Sequence, residues 1–382
     1  MKFDNFSAPH YRGVSTQPYI SKPYLSSILY YITGHGYGHA VRSSQVIRAL
    51  KEIRPDLQVC VRTTAPQWLF PEVVGYSHQF VDVGIVQRDS LAMDFAATLQ
   101  QCRSLIDDTP RLIAQELAFV RERAVQLVAG DIPALAFEIA ARAGVPSVAI
   151  TNFSWTGIYQ AYAEELPEFR PIIAQMAQSY AEATVVLALP YSFDLDVFPR
   201  KDPIPWIARQ SCLDKNAARK QFGLPLAATV VLLSFGGLGL HRLQLKKLKL
   251  MRDFLFVVTA GEKRIDGNIF ILPDTQQHYE DLLRAVDVIV TKPGYGIVAD
   301  AISHRIPVLY TERGAFPEYP HLVQALSDCA TAEFIPQSEL LDGNVASYLA
   351  RLLDKAAHWP DVKLNGAQIA AEKLLALMKW SS

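Results

Sequence analysis

SILYYITGHGYGHAVRSSQVIRALKEI, residues 27–53, decides the fold. Ser27–Thr33 is an apolar β-type run, and Arg42–Ile53 carries Val46, Ala49, Leu50 and Ile53 at helical spacing. Between them stands the glycine turn Gly34-His35-Gly36-Tyr37-Gly38-His39. Strand, glycine turn and helix in that order make the first unit of a parallel sheet covered by helices.

The same rhythm continues outward. Strands are predicted at Gln58–Thr63, Ser147–Ile150 and Thr184–Leu189, and helices near Leu91–Ile106, Arg111–Gln126 and Leu135–Ala143. FPRKDPIPW, residues 198–206, then holds three prolines in nine residues. Proline continues neither a ladder nor a helix, so this stretch reads as a linker. Beyond it the rhythm restarts. Strands are predicted at Thr229–Ser234, Phe254–Thr259, Asn268–Leu272, Asp287–Val290 and Pro307–Tyr310, and helices at Val345–Leu353 and Gly366–Met378. The expected organisation is an α/β chain of two Rossmann-like domains with parallel sheets facing a cleft. Residues 1–24 form an arm, 25–198 an N-terminal domain, 199–206 the linker and 207–365 a C-terminal domain. Residues 366–382 form a helix packing back on the N-domain.

A chain of 382 residues, half of them hydrophobic, carries enough apolar material for two cores. Lys plus Arg number 37 and Asp plus Glu 38, so no global field attracts nucleic acid, and no nucleic-acid partner is expected. Cys60, Cys102, Cys212 and Cys329 are scattered without C-x-x-C spacing, which suggests neither zinc nor a redox pair. The N-terminal stretch shows no apolar signal core, and no apolar run reaches the ~18 residues of a membrane span. A cytoplasmic protein is expected.

The chemistry-bearing motifs fall at strand ends, where open α/β sheets bind ligands. In the first turn the third slot of the dinucleotide fingerprint is His39 rather than glycine. No acidic residue closes the second strand, which argues against a nicotinamide cofactor. His35 and His39 suit a general base, set against a plain capping or packing role. Gly236 and Gly237, after another strand, can present backbone N–H groups to phosphate. Thr291-Lys292-Pro293-Gly294-Tyr295-Gly296 repeats that placement, with Asp300 in the following helix. A loop rich in functional groups, Glu312 to His321, contains Glu318. Asp131, and Asn152 with Trp155, follow two further strands.

Together these motifs resemble the GT-B glycosyltransferases. The likeness is to the branch containing the peptidoglycan N-acetylglucosaminyltransferase, and to the N-terminal region of plant-type arabinokinases. It rests on the GHGxGHxxR opening, a DIP segment at Asp131, an NFSW segment at Asn152 and the KPGYG…D segment ending at Asp300. The resemblance implies that Gly236, Gly237, Lys292, Gly294, Tyr295 and Gly296 hold the donor, that Asp300 reads its ribose and that Glu318 contacts its sugar. It implies His39 as the base, with Asp131 and His35 as further candidate catalytic residues and Asn152 and Trp155 toward the acceptor. Asp300 stands where relatives usually carry Glu, and Thr156-Gly157 stands where many continue with Asp and Trp. No kinase half follows, so sugar kinase activity is not expected.

The expected function is inverting, metal-independent transfer of a hexosyl or N-acetylhexosaminyl unit. The donor is a nucleoside diphosphate sugar, with UDP first in line, and no cofactor is needed. The acceptor is open: small molecule, glycan or lipid. Asp194-Leu195-Asp196 has D-x-D spacing but follows a different strand, so no metal site is expected. The basic run 241–252 suits a weak peripheral contact with a membrane, set against a solvated helix face. An epimerase or phosphorylase, or a non-catalytic nucleotide-sugar binder, fits the same architecture.

Overall fold

The computed structural model describes residues 26–87, 93–235, 243–259, 262–273 and 278–378. The expected arm 1–24 and the donor glycines Gly236 and Gly237 lie outside the described residues.

Seven strands form the first sheet: β1 (Ser27–Ile32), β2 (Gln58–Thr63), β3 (Gly75–His78), β4 (Val125–Asp131), β5 (Ser147–Thr151), β6 (Val185–Ala188) and β7 (Lys201–Pro203). Their order is β3-β2-β1-β4-β5-β6-β7, all parallel. The order reverses between β1 and β4, and such a switch point opens a crevice at the strands' carboxyl ends. Every residue of β1 is buried, as expected of a parallel strand covered on both faces.

The second sheet contains β8 (Thr229–Ser234), β9 (Phe254–Thr259), β10 (Arg264–Asp266), β11 (Ile269–Leu272), β12 (Val288–Thr291), β13 (Val308–Tyr310) and β14 (Ala332–Phe334). Its order is β10-β11-β9-β8-β12-β13-β14, with only β10 antiparallel to its neighbour. Its switch point falls between β8 and β12. The helix Gly366–Met378 packs against the helix Tyr37–Ile53, so the end of the described chain returns to the first sheet.

Three local expectations change. The helices expected near 91–106 and 111–126 are one helix, Phe95–Glu122, with Pro110 inside it. A proline removes one backbone bond, and a helix of 28 residues whose face includes buried Leu112, Ile113 and Val120 absorbs that loss. The proline-rich stretch 198–206 carries β7 on the sheet edge, where a proline without a donor is tolerated. The basic run expected as a helix over 241–252 is helical only over Leu245–Leu248, and Lys249 is paired with Asp266. Residues 241–242 of that run lie outside the described residues.

Candidate active site at the sheet switch point

The glycine turn first sets the entry angle of a helix. Gly36, the residue before the helix Tyr37–Ile53, has φ 74°, a left-handed value that glycine adopts without a Cβ penalty. The helix then presents His39, Arg42 and Ser43 at i, i+3 and i+4, and so on one face. That face meets the end of β4, because β1 and β4 are paired with Ile32 opposite Asp131.

All three side chains converge on Asp131, which is fully buried. His39 Nδ1 lies 2.8 Å from Asp131 Oδ1. Arg42 donates through Nε to Oδ2 at 2.7 Å and through Nη2 to Oδ1 at 2.5 Å. The Ser43 hydroxyl donates to Oδ2 at 3.0 Å. Burial alone would raise the Asp131 carboxyl; the Arg42 guanidinium and His39 outweigh it and hold Asp131 at about 2. An ionised Asp131 therefore orders its donors. Arg42 Nη2 also lies 2.9 Å from His39 Nδ1. A guanidinium only donates, so with Nδ1–H turned to Asp131 the Arg42 proton goes to the carboxylate alone. Burial and Arg42 lower the His39 imidazole below its ordinary value, against Asp131 and Glu318, which raise it. The ring is thus neutral near pH 7 with Nε2 as its base.

The second domain closes over this cluster. Asn152, directly after β5, is fully buried, accepts from Arg42 Nη1 at 2.6 Å and donates to Glu318 Oε1 at 2.8 Å. Glu318 Oε2 accepts from Arg313 Nη1 at 2.5 Å. The Arg42 guanidinium lies 5.3 Å from the centre of the Tyr295 ring, which also stacks on Trp206. A Cβ placed on Gly296 would come within 3.4 Å of Gly38 Cα, so the starts of two helices, Tyr37–Ile53 and Tyr295–His304, abut. Gly294 faces open space: a Cβ built there meets nothing within 4 Å.

His35 is half-buried beside this cluster. It stacks on Phe316, meets Trp155 edge-on and accepts from the Ile85 N–H at 3.4 Å through Nδ1. Burial, then Arg313, His39 and Lys292, keeps its imidazole well below the usual range. His35 is therefore a neutral packing group between the two domains.

Of the residues singled out from sequence, the fold brings together His39, Asp131, Asn152, Glu318 and Tyr295. Lys292, Gly294 and Gly296 border them, and His35 lies alongside. Four do not take the expected position. Asp300 is 1% exposed, and its oxygens accept from the backbone N–H, Nε and Nη2 of Arg209. That ion pair, not an open pocket, occupies the carboxylate expected to read a ribose. Trp155 is fully buried against Phe153 and Tyr159, so its ring offers no face to an acceptor. Asn152 likewise spends its amide on Arg42 and Glu318, and Glu318, buried, gives its two oxygens to Asn152 and Arg313 where a donor-sugar contact was expected. Asp194 accepts from Ser154 and Thr156, while Asp196 pairs with Lys201, so the D-x-D pair does not converge. A Cβ on Gly157 would fall within 2.4 Å of Asp194, which explains the glycine in that departure from the relatives.

Sequence reasoning gave no role to Arg42, the arginine of the GHGxGHxxR opening, to Arg313 in the 312–321 loop, or to Ser43 and Asp82. The i, i+3, i+4 spacing from His39 could have flagged Arg42 and Ser43. Asp82 had no local signal. It is 7% exposed, accepts from the Thr33 hydroxyl at 2.9 Å and from the Trp155 indole N–H at 2.9 Å. Burial pushes its carboxyl up to about 6, against those two hydrogen bonds. The folded value lies above the ordinary 3.8, so the stability from keeping Asp82 neutral is present below 3.8 and lost as pH rises through about 6. Tryptophan fluorescence is expected to titrate with a midpoint near pH 6 and to lose that titration in Asp82→Asn. A transition unchanged in the variant would assign it to another group.

The comparisons with known proteins agree with this architecture. Residues 26–194 match the family described as Glycosyl transferase family 1. The chain is 29% identical to the L-arabinokinase of Arabidopsis thaliana over 353 residues, covering 90% of this chain and 34% of that protein. It thus spans about a third of that relative's length. It is 22% identical to an uncharacterized glycosyltransferase of Methanopyrus kandleri over 249 residues, covering 62% of this chain and 70% of that one. Among solved structures, the glycosyltransferase of kitacinnamycin superposes with a TM-score of 0.60 at 16% identity, covering 94% of this chain and 96% of that one. MurG of Acinetobacter baumannii gives 0.55 at 15% identity, covering 92% and 99%. The fold is the GT-B architecture of these solved glycosyltransferases.

Proposed function

We propose that the protein transfers a hexosyl or N-acetylhexosaminyl unit from a nucleoside diphosphate sugar, a UDP-sugar first, to an acceptor hydroxyl, with inversion and without a metal ion. The observation that carries this reading is the contact of His39 with Asp131 at one sheet's switch point, against the open glycine start of the helix Tyr295–His304. His39 Nε2 takes the acceptor's hydroxyl proton. The new O–C1 bond forms on the face opposite the phosphate, and the nucleoside diphosphate leaves with the C1–O electron pair. The helix start at Gly294 and Lys292 receive the charge that develops on it. The free, scattered cysteines suit a cytoplasmic setting.

Thermal shift with a panel of nucleoside diphosphates and their sugars tests this. A ligand that binds only the folded state at 100 times its Kd adds about 2.7 kcal/mol. The melting temperature is expected to rise with UDP and a UDP-sugar, and to rise equally in EDTA. Turnover of that donor should also survive EDTA. A flat response to every nucleotide would remove the donor assignment; loss on chelation restored by manganese would remove metal independence. Product analysis separates transfer from epimerisation, because only transfer consumes an acceptor.

A further inference from the structure

We propose that Asn152 is a positioning residue that latches the second domain to Arg42, so that closing the cleft braces the Arg42 clamp on Asp131 beside the base; this rests on the glycosyl-transfer reading above.

Three features of the structure support it. The first is chemical necessity at the amide. A guanidinium only donates and a carboxylate only accepts, so the Asn152 amide between Arg42 and Glu318 fits one way round. Its oxygen faces Arg42 and its nitrogen faces Glu318. An aspartate there would keep the Arg42 bond and oppose a second carboxylate; an apolar side chain would leave Arg42 Nη1 and Glu318 Oε1 without that partner in a buried site.

The second is what Arg42 depends on. Nε and Nη2 hold Asp131, Nη1 holds Asn152, and the Tyr295 ring of the other domain covers the guanidinium. Opening the cleft strips Asn152 Nδ2 of its acceptor and uncovers Arg42, and the clamp on Asp131 loosens from that side. The third is the grip on the loop that carries Glu318. Arg313 holds the second oxygen of Glu318 and lies over Phe316, which stacks on His35. The Tyr162 hydroxyl donates to the Ala315 carbonyl at 2.8 Å. Residues 313–318 are therefore the moving half of the latch, and Asn152 is its polar contact with Arg42, which holds Asp131.

The test is an exchange of donor and acceptor. Asn152→Asp sets two carboxylates against each other. Adding Glu318→Gln rebuilds the bond in the opposite sense, with the Gln amide donating to Asp and its oxygen still accepting from Arg313. Hydrogen exchange of the peptide spanning 313–318, read without substrate, reports closure. Asn152→Asp is expected to raise that exchange by tenfold or more, and the double variant to return it to within about threefold of wild type. Asn152→Ala is expected to lower kcat at least tenfold with the donor KM within about twofold. Exchange unchanged by Asn152→Asp, or unrestored in the double variant, overturns the latch. So does a double variant that fails to fold, because the two groups would then not be interchangeable partners. A KM effect without a kcat effect would make Asn152 a substrate ligand instead. If the exchange data behave as expected while wild type turns over no nucleotide sugar, the latch stands and the transfer reading falls.

Discussion

His39→Ala lowers the turnover number by about 100-fold or more and leaves donor affinity nearly unchanged: that is the expected result of removing a positioned base. The structure supplies the geometry. His39 Nδ1 is held at 2.8 Å by an ionised Asp131, which fixes the tautomer and stabilises the imidazolium that forms when Nε2 takes a proton. Donor binding is assigned to the Gly294 helix start, where a Cβ would meet nothing within 4 Å, so calorimetric affinity for the nucleoside diphosphate should stay within a few-fold. His35→Ala is expected to be milder, because His35 is packed against Phe316 and Trp155 with its Nδ1 engaged by Ile85. Wild-type turnover in His39→Ala with loss in His35→Ala would reassign the base. Loss in neither would place the base elsewhere.

The second large effect is on stability. Asp131→Ala should cost about 3–5 kcal/mol, the range for removing one partner of a buried ion pair. Arg42 is 3% exposed and gives two nitrogens to Asp131, so the variant leaves a buried cation without its counter-charge. Typical domains hold only about 5–15 kcal/mol, so such a loss falls within a few kcal/mol of unfolding for many of them. Denaturant melts of wild type and variant read the difference. The pH dependence carries a matching signature. Asp131 is depressed to about 2 from its ordinary 3.8, so its contribution is complete above 3.8 and lost as pH falls through about 2. The gap between wild type and Asp131→Ala should narrow over that window. A cost under about 1 kcal/mol at neutral pH would mean that Arg42 finds another acceptor.

Much of the scaffold was legible locally. Gln58–Thr63, Thr229–Ser234, Phe254–Thr259, Leu135–Ala143 and Gly366–Met378 lie where the apolar period places them. Where the reading failed, tertiary contacts overrode local chemistry. Pro110 does not break its helix, and the proline-rich 198–206 still supplies an edge strand. Trp155, at a strand end, was expected toward the acceptor, yet its indole N–H is spent on Asp82, a residue 73 positions away.

The sequence by itself determined the strand–turn–helix units, the glycine turns at their carboxyl ends and the histidines and carboxylates gathered there. Each follows from short-range rules: a side-chain period, a left-handed φ at Gly36, a helix face at i, i+3 and i+4. The tertiary structure alone decided the partners. His39 meets Asp131 across 92 residues because β4 lies beside β1 after β2 and β3 are passed over. Asn152 meets Glu318 across 166 residues because the domains close, and Asp300 goes to Arg209 across 91. A carboxylate looks the same in a sequence whether an arginine, a histidine or a ligand satisfies it. Only strand order and domain packing place one donor within 3 Å and exclude the rest, and burial then makes that choice costly to undo.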